Sequence, residues 1–303
     1  MMEKTEFQVK IATLLPDLQL LYNEPMSSHT SFRVGGPAEV MAFPQNADQL
    51  AQIFKVSALL DCKTAILGAG TNVLAPDEGI AGLVICLKDA LGGMERLDDT
   101  HIRVAAGVTM TRAALFAAGH GLSGLEFSHG IPGTVGGGVY MNAGAYGGEL
   151  CQVVESVDVM DKEGNIRTLS CAEMAFSYRH SILEETKDVV LSVVFALTPA
   201  PIDVIRDKIQ ELMQRRKTSQ PLDLPSAGSA FKRPVGGYAA ALIDEAGLKG
   251  YQVGGAAVST KHAGFVVNLG GATARDVKQV LRDVSDKVFH NSGIRLEPEV
   301  RIW

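Results

Sequence analysis

No apolar run in this chain approaches the length of a membrane span. The N-terminal stretch, Met-Met-Glu-Lys-Thr-Glu-Phe-Gln, lacks the apolar core of a signal peptide. Only 4 cysteines occur, at Cys62, Cys86, Cys151 and Cys171. None forms a Cys-x-x-Cys pair or has a histidine at metal-ligand spacing, and the 7 histidines show no ligand pattern either. A disulfide framework and a structural metal are therefore not expected, and the chain reads as cytoplasmic, in a reducing compartment. With 28 Lys and Arg against 34 Asp and Glu, the net charge of -6 argues against a nucleic-acid surface. Three sequence motifs are also missing. There is no Gly-Lys-Ser/Thr phosphate loop. Gly68-Ala69-Gly70 begins like a dinucleotide fingerprint, but the third glycine position holds Val73 and no helical pattern opens there. Ser229 lacks the Gly-x-Ser-x-Gly of a nucleophile elbow, because Gly228 is adjacent to it.

What the chain does have is glycine, 32 residues of it, concentrated between Ser128 and Glu149. Glycine inside a folded domain costs conformational entropy, so each one implies a positive φ, a sharp turn or a close backbone approach. Gly136-Gly137-Gly138 removes three consecutive side chains. Either a flat ligand lies on bare peptide whose N–H groups suit an anion, or two backbone segments cross tightly with no ligand. The shorter loop Gly68-Ala69-Gly70-Thr71-Asn72 allows two readings as well: a diphosphate held by backbone N–H groups, or an ordinary turn. Each loop follows an α/β unit, so the two could face each other across one elongated ligand.

At 46% hydrophobic and 20% charged residues, the chain is globular and long enough for two or three compact units. Phe7, Ile11, Leu14 and Leu15, then Leu18 and Leu21, suggest a helical docking segment and turn over about residues 1–27. A strand over 39–43, a helix capped by Asn46 and a strand over 65–67 make a β-α-β unit. Strands are expected over 82–87 and 102–105, a helix over 109–118, a hairpin over 153–160 and 166–169, and a strand over 189–197. Pro199 to Pro201 mark a boundary. An amphipathic helix then runs to Arg215-Arg216-Lys217, cations that suit the helix dipole or a substrate phosphate. Further elements are a helix over 238–246, strands over 256–259 and 265–269, and a last helix capped by Thr273 with Asp276. In the C-terminal stretch, period two puts Leu296, Pro298, Val300 and Ile302 on one face and Glu297, Glu299 and Arg301 on the other. A carboxylate on that second face is either a fixed functional group or an edge-strand charge. Tyr178-Arg179 is either an anion contact or a surface pair.

Seven stretches occur in order: Thr30-Ser31-Phe32-Arg33-Val34-Gly35-Gly36, Gly68-Ala69-Gly70-Thr71-Asn72, Gly130-Ile131-Pro132-Gly133-Thr134-Val135-Gly136-Gly137, Asn142-Ala143-Gly144-Ala145-Tyr146-Gly147, Tyr178-Arg179-His180-Ser181, Ala227-Gly228-Ser229-Ala230-Phe231-Lys232 and Leu296-Glu297-Pro298-Glu299-Val300-Arg301. From about residue 28 to the C-terminus the chain resembles the UDP-N-acetylenolpyruvoylglucosamine reductases, flavoenzymes that complete UDP-N-acetylmuramate in peptidoglycan synthesis. The resemblance implies an α+β fold. Residues 28–198 would be an FAD-binding region of the PCMH/vanillyl-alcohol-oxidase type, with subdomains at about 28–88 and 89–198. Residues 199–303 would be an α+β substrate-binding domain. It also implies non-covalent FAD, without attachment through His129, and NADPH as co-substrate.

The cofactor contacts implied are Gly68, Ala69, Gly70, Thr71, Asn72, Gly130, Pro132, Gly133, Thr134, Gly136, Gly137, Asn142, Ala143 and Gly144. The substrate contacts implied are Tyr178, Lys217 and Phe231. In the implied chemistry NADPH reduces FAD and leaves. A hydride then passes from flavin N5 to the vinyl carbon distal to the substrate carboxylate. Arg179 and Glu299 stabilise and orient the enolate-like state, and Ser229 gives the proton. Serine is a weak acid, so this requires a strongly basic carbanion and a hydroxyl within hydrogen-bond reach. Some members carry a tyrosine-bearing insertion after the Tyr-Arg pair. Here Ser181 runs to the strand at Val189 with no room for one, as in the shorter subclass. The expected partners are small molecules alone, with no nucleic acid or membrane insertion, and the expected state is a monomer. The competing readings are an FAD-dependent oxidase of a small alcohol and a non-enzymatic nucleotide-binding protein. Ser229 and the glutamate motif argue against the first, and the set Arg179, Ser229 and Glu299 against the second.

Overall fold

The computed structural model describes residues 5–303. Local side-chain chemistry starts most of its helices. Thr5, Asn46, Thr109, Thr134 and Thr273 each accept a hydrogen bond from the backbone N–H three residues on. They open the helices Glu6–Leu14, Ala47–Leu59, Met110–Gly119, Val135–Tyr140 and Ala274–Ser292. Thr5 with Gln8, and Thr273 with Asp276, complete reciprocal capping boxes. The caps expected at Asn46 and Thr273 are therefore present. The expected docking helix stops at Leu14, and where Leu18 and Leu21 suggested only a turn, Gln19–Pro25 is a strand. Pro16 explains the stop: it lacks an N–H and disfavours helical backbone in the residue before it.

By contact the chain forms two units, neither of them one continuous stretch. The first holds residues up to 22, 40–69 and 82–215; the second holds 23–39, 70–81 and 216–303. This grouping differs from the linear division expected from the sequence, because 23–39 and 70–81 have their contacts with the C-terminal segment.

Two sheets of more than two strands draw on the first unit. In one, Thr64–Leu67 lies parallel to Ile80–Cys86, in register from Thr64 opposite Leu83 to Leu67 opposite Cys86. The other has five strands, in the order Ile166–Ser170, Val154–Met160, Val189–Ala196, His101–Ala105, Met94–Arg96, with antiparallel neighbours. Alternation fixes which face is buried: Ile102 and Val104 are buried and Arg103 is exposed. Ile102, Val104, Val157, Val193 and Phe195 form one core with Ala113, Ala117, Val135 and Val139 from the two adjacent helices. A second core gathers Ile11, Val40, Leu50, Ile53, Leu83 and Ile85. The N-terminal helix does dock, since Ile11 is fully buried.

The second unit is built on an antiparallel sheet in the order Ser226–Ser229, Phe265–Asn268, Ala256–Val258, Gln252–Val253. Val277, Val280, Leu281, Val284 and Val288 line the buried face of the last helix, as their spacing predicts. Phe32, Val34 and Leu74, from the two inserted segments, complete this core. The Asp77 carboxylate accepts the N–H groups of Ala274 (2.6 Å) and Arg275 (3.0 Å), satisfying first-turn donors and the helix dipole together. Asn268 donates to the Phe32 carbonyl at 2.9 Å. The C-terminal stretch is a regular strand only over Arg301–Ile302, parallel to Val73–Leu74. Leu296 and Val300 are buried as expected, but Ile302 is 47% exposed. The partner strand is two residues long, too short to impose the full alternation. Among the described residues no helix is long and apolar enough to cross a membrane, and no cluster of His, Cys, Asp or Glu is placed to hold a metal.

Candidate active site

The strand Thr64–Leu67 delivers the chain into Gly68-Ala69-Gly70. A Cβ on Gly68 would stand 2.7 Å from Thr134 Oγ1, so the first glycine loop rests directly on the second glycine-rich segment. Within the first unit, the N–H groups of Gly68, Ala69, Gly130, Gly133 and Thr134 have no acceptor among the described residues. Thr134 is 2% exposed. A buried backbone donor without an acceptor is costly, and an anionic ligand supplies what it lacks. Donors gathered beside a position where no side chain fits are suited to the diphosphate of FAD. In the second unit, Gly70 has φ +62° and a Cβ there would lie 2.0 Å from the His29 carbonyl oxygen. Only glycine fits.

The triple glycine turns out differently. Gly136, Gly137 and Gly138 lie in the helix Val135–Tyr140. The Val135 and Gly136 N–H groups donate to the Val108 and Ala106 carbonyls at 2.8 and 2.9 Å. Gly137 donates to Thr134 Oγ1 at 3.3 Å and Gly138 to the Thr134 carbonyl at 2.8 Å. These donors are committed, so the expectation of bare N–H groups awaiting an anion fails here. A Cβ on Gly136 would meet Ala106 Cβ at 2.9 Å, and one on Gly138 would meet Met110 Sδ at 2.9 Å. Two of the glycines thus serve close packing. Gly137 alone has an open face, its nearest neighbour being Thr134 Oγ1 at 3.5 Å.

Asn142, expected as a cofactor contact, has its side chain engaged within the protein. It is 1% exposed. Its Nδ2 donates to Glu149 Oε2 (3.1 Å) and the Ser177 carbonyl (3.0 Å), and its Oδ1 accepts the Cys151 N–H (3.0 Å). The side chain is spent on protein and braces three loops. Ala143 is similarly engaged, donating to the Gly138 carbonyl at 2.8 Å and accepting from Leu150 at 3.1 Å.

One of the braced loops carries Arg179. Ser177 and His180 exchange backbone hydrogen bonds at 3.1 and 3.2 Å, closing a turn in which Arg179 has φ +56°. That left-handed conformation favours glycine, so an arginine here stores strain, a common mark of functional positions. Its Nη2 donates to the Gly144 carbonyl at 3.3 Å, and its guanidinium lies 4.9 Å from the Tyr178 ring centroid. Fully buried Ser181 anchors the turn by donating to the Tyr140 carbonyl at 2.8 Å.

Ser229 belongs to the second unit. Its strand pairs with Phe265–Asn268, and the register slips between Ser226 opposite Val267 and Ser229 opposite Phe265. The extra residue makes a bulge at Ala227-Gly228, where Gly228 has φ +76°. The bulge re-aims the strand end and leaves Ser229 exposed, its hydroxyl without a partner among the described residues. Just beyond, Ala230 O accepts the Glu299 N–H at 2.9 Å, Lys232 donates to the Glu297 carbonyl at 2.9 Å, and Phe231 bridges Pro298. The structure therefore brings Ser229 and Glu299 onto adjacent segments, while Arg179 is a residue of the first unit.

Phe231, expected to touch substrate, is 4% exposed in the hydrophobic core with Ala227 and Val266. Its ring holds the Ser229 segment down and does not face solvent. Lys217 is exposed near the end of the helix Ile202–Ser219, with its carbonyl accepting Lys261 Nζ at 2.7 Å. Asn72 is occupied by the C-terminal tail: its Nδ2 donates to the Glu299 carbonyl (3.2 Å) and its own carbonyl accepts the Arg301 N–H (2.9 Å). Sequence reasoning gave Ser31 no part of its own. Its hydroxyl donates to the Ser226 carbonyl at 2.6 Å, at the base of the Ser229 strand. Its place inside the Thr30 to Gly36 stretch was the available signal.

Residues 220–303 match the family model described as UDP-N-acetylenolpyruvoylglucosamine reductase, C-terminal domain, and residues 38–170 match an FAD binding domain. A UDP-N-acetylenolpyruvoylglucosamine reductase of Streptococcus pneumoniae (strain Hungary19A-6) is 44% identical over 293 residues, 97% of each chain. The chain belongs to the UDP-N-acetylenolpyruvoylglucosamine reductase family. A second reductase of that name, from S. pneumoniae serotype 4 (strain ATCC BAA-334 / TIGR4), is also 44% identical, over 97% of this chain and 92% of the other. The crystal structure of UDP-N-acetylenolpyruvylglucosamine reductase from Thermus caldophilus has a TM-score of 0.80 at 35% identity. It covers 94% of this chain and 98% of that one. The reductase thus has the α+β FAD-binding architecture expected from its motifs, uses FAD, and is an oxidoreductase of peptidoglycan synthesis.

Proposed function

We propose that this reductase converts the enolpyruvyl ether of UDP-N-acetylglucosamine to UDP-N-acetylmuramate, with NADPH as the electron source and Ser229 as the proton donor. The observation that carries the reading is the exposed Ser229 hydroxyl, set on a bulge beside the segment that holds Glu299. FAD, when bound, supplies the two-electron chemistry, accepting electrons from NADPH and passing them to the substrate vinyl group. The backbone donors of Gly68, Ala69, Gly130, Gly133 and Thr134 would hold its diphosphate without a covalent link, and the open face of Gly137 would admit a flat group.

The remaining work falls to side chains. Arg179 offers a permanent cation to the substrate carboxylate, where negative charge builds as the vinyl group is reduced. Its strained turn, tied to Asn142 and Ser181, fixes the direction of that charge. Glu299 orients the reacting group. Ser229 Oγ–H delivers the proton to the carbon next to the carboxylate, a step open to so weak an acid only because that carbon is strongly basic. Tyr178 and Lys217 contact the nucleotide-sugar part. Between His180 and the strand at Val189 stands only the short helix Leu183–Thr186, as in members without the tyrosine insertion. The enzyme acts as a cytoplasmic monomer on small molecules.

The test is an anaerobic flavin spectrum. The oxidised band should bleach with NADPH and return on adding the enolpyruvyl substrate. Ser229→Ala should block the return while leaving the bleaching. Both half-reactions unchanged in Ser229→Ala would remove Ser229 as proton donor. No flavin band after reconstitution with FAD would overturn the reading of both glycine segments.

A further inference from the structure

We infer that Asn72 is a positioning residue for Glu299, setting the carboxylate through the peptide that follows it. The inference rests on the role given to Glu299 above. Asn72 ends the first glycine loop and opens the short strand Val73–Leu74. That strand runs parallel to Arg301–Ile302, with Arg301 opposite Val73. Parallel ladders have evenly spaced bonds. The Arg301 N–H reaches the Asn72 carbonyl at 2.9 Å and the Trp303 N–H reaches the Leu74 carbonyl at 3.1 Å.

In a continuing ladder, the next rung would run from the Asn72 backbone N–H to the Glu299 carbonyl. Here the side-chain Nδ2 of Asn72 makes that bond instead, at 3.2 Å. The substitution has two consequences. The Glu299 peptide is held on both edges, by Asn72 at its carbonyl and by Ala230, next to Ser229, at its N–H. The Asn72 backbone N–H is released and has no acceptor among the described residues. A side chain expected to face the cofactor is thus turned to the tail, where it anchors the Glu299 carbonyl while Ala230 holds the Glu299 N–H. Displacing a reacting group by about 1 Å can cost on the order of 100-fold in rate, so one amide can matter well beyond its own strength.

Asn72→Asp keeps the shape and loses the donor; Asn72→Ala loses both. Each is compared with Glu299→Gln and with the double variants, following flavin reduction by NADPH and flavin reoxidation by substrate separately, at saturating FAD. Reoxidation should fall about 10- to 100-fold in either Asn72 variant, while reduction by NADPH stays within about 2-fold. In the Glu299→Gln background the Asn72 changes should add no more than about 2-fold, since a residue acting through Glu299 has nothing left to position. Asn72→Gln, which restores an amide donor, should recover part of the rate. In flavin-free protein, amide exchange at residues 299–301 should rise in Asn72→Ala.

A normal reoxidation rate in Asn72→Asp beside a slow Glu299→Gln would overturn this inference alone. So would fully additive losses in the double variant, or weakened FAD affinity with normal reoxidation once FAD is saturating. Wild-type reoxidation in Glu299→Gln would overturn the role of Glu299, and this inference with it.

Discussion

The first glycine loop and the triple glycine look alike in composition and use their backbones in opposite ways. The N–H groups of Gly68 and Ala69 have no acceptor among the described residues. Across Gly136, Gly137 and Gly138 every N–H is spent inside the protein. In the first segment glycine keeps side chains away from donors that a ligand can reach. In the second it lets a short helix press against Ala106 and Met110. A glycine run therefore signals an anion site only when its donors are uncommitted, and a count of donors is more telling than a count of glycines.

The contrast can be broken one glycine at a time. Gly70→Ala should do the most damage. It combines φ +62° with a 2.0 Å approach to the His29 carbonyl, and backbone cannot give way as a side chain can. A loss of about 3 kcal/mol or more is expected in denaturant unfolding of the flavin-free protein. Gly136→Ala meets Ala106 Cβ at 2.9 Å and should cost about 1–3 kcal/mol by overpacking. It touches no free donor, so FAD affinity of the folded protein, measured by flavin fluorescence titration, should change less than about 3-fold. Gly68→Ala should reverse that pattern. Its Cβ would press on Thr134 Oγ1 at 2.7 Å, with a modest stability loss and an FAD affinity lower by about 10-fold or more, worth about 1.4 kcal/mol. Gly137→Ala is the finest test. With no clash, alanine should stabilise the helix by about 0.5–1 kcal/mol in flavin-free protein, read as a raised melting temperature. FAD affinity should fall nonetheless, because the methyl group covers the open face. Unchanged affinity would place the flavin elsewhere.

What the sequence discloses tracks how local the physics is. Asn46 and Thr273 are legible as caps because their partners lie three residues away. The strand over 101–105 is legible from alternation, and that over 189–196 from its short, β-branched apolar run. The helix Val135–Tyr140 is not, because glycine is a poor helix former. Tertiary bonds to Ala106 and Val108, and the Thr134 cap, impose it. The site follows the same rule. The residue types at 179, 229 and 299 point to their chemistry through the family motifs. The adjacency of the Ser229 and Glu299 segments arises from a bulge and a tail pairing that no local pattern encodes. Asn72 and Asn142 read as ligand contacts through the family motifs. Which group receives their hydrogen bonds is decided by segments far away in sequence, at 299 and at 149–177.

The three-segment make-up of the second unit bears on how the chain is born. Val73–Leu74 leaves the ribosome long before its partner strand Arg301–Ile302 exists. At roughly 5–20 residues per second, the wait is on the order of ten seconds or more. Through that interval Phe32, Val34 and Leu74 have only part of the core that will cover them. The nascent chain thus offers a window of apolar surface to chaperones, and setting Glu299 in place belongs to the last steps of its maturation.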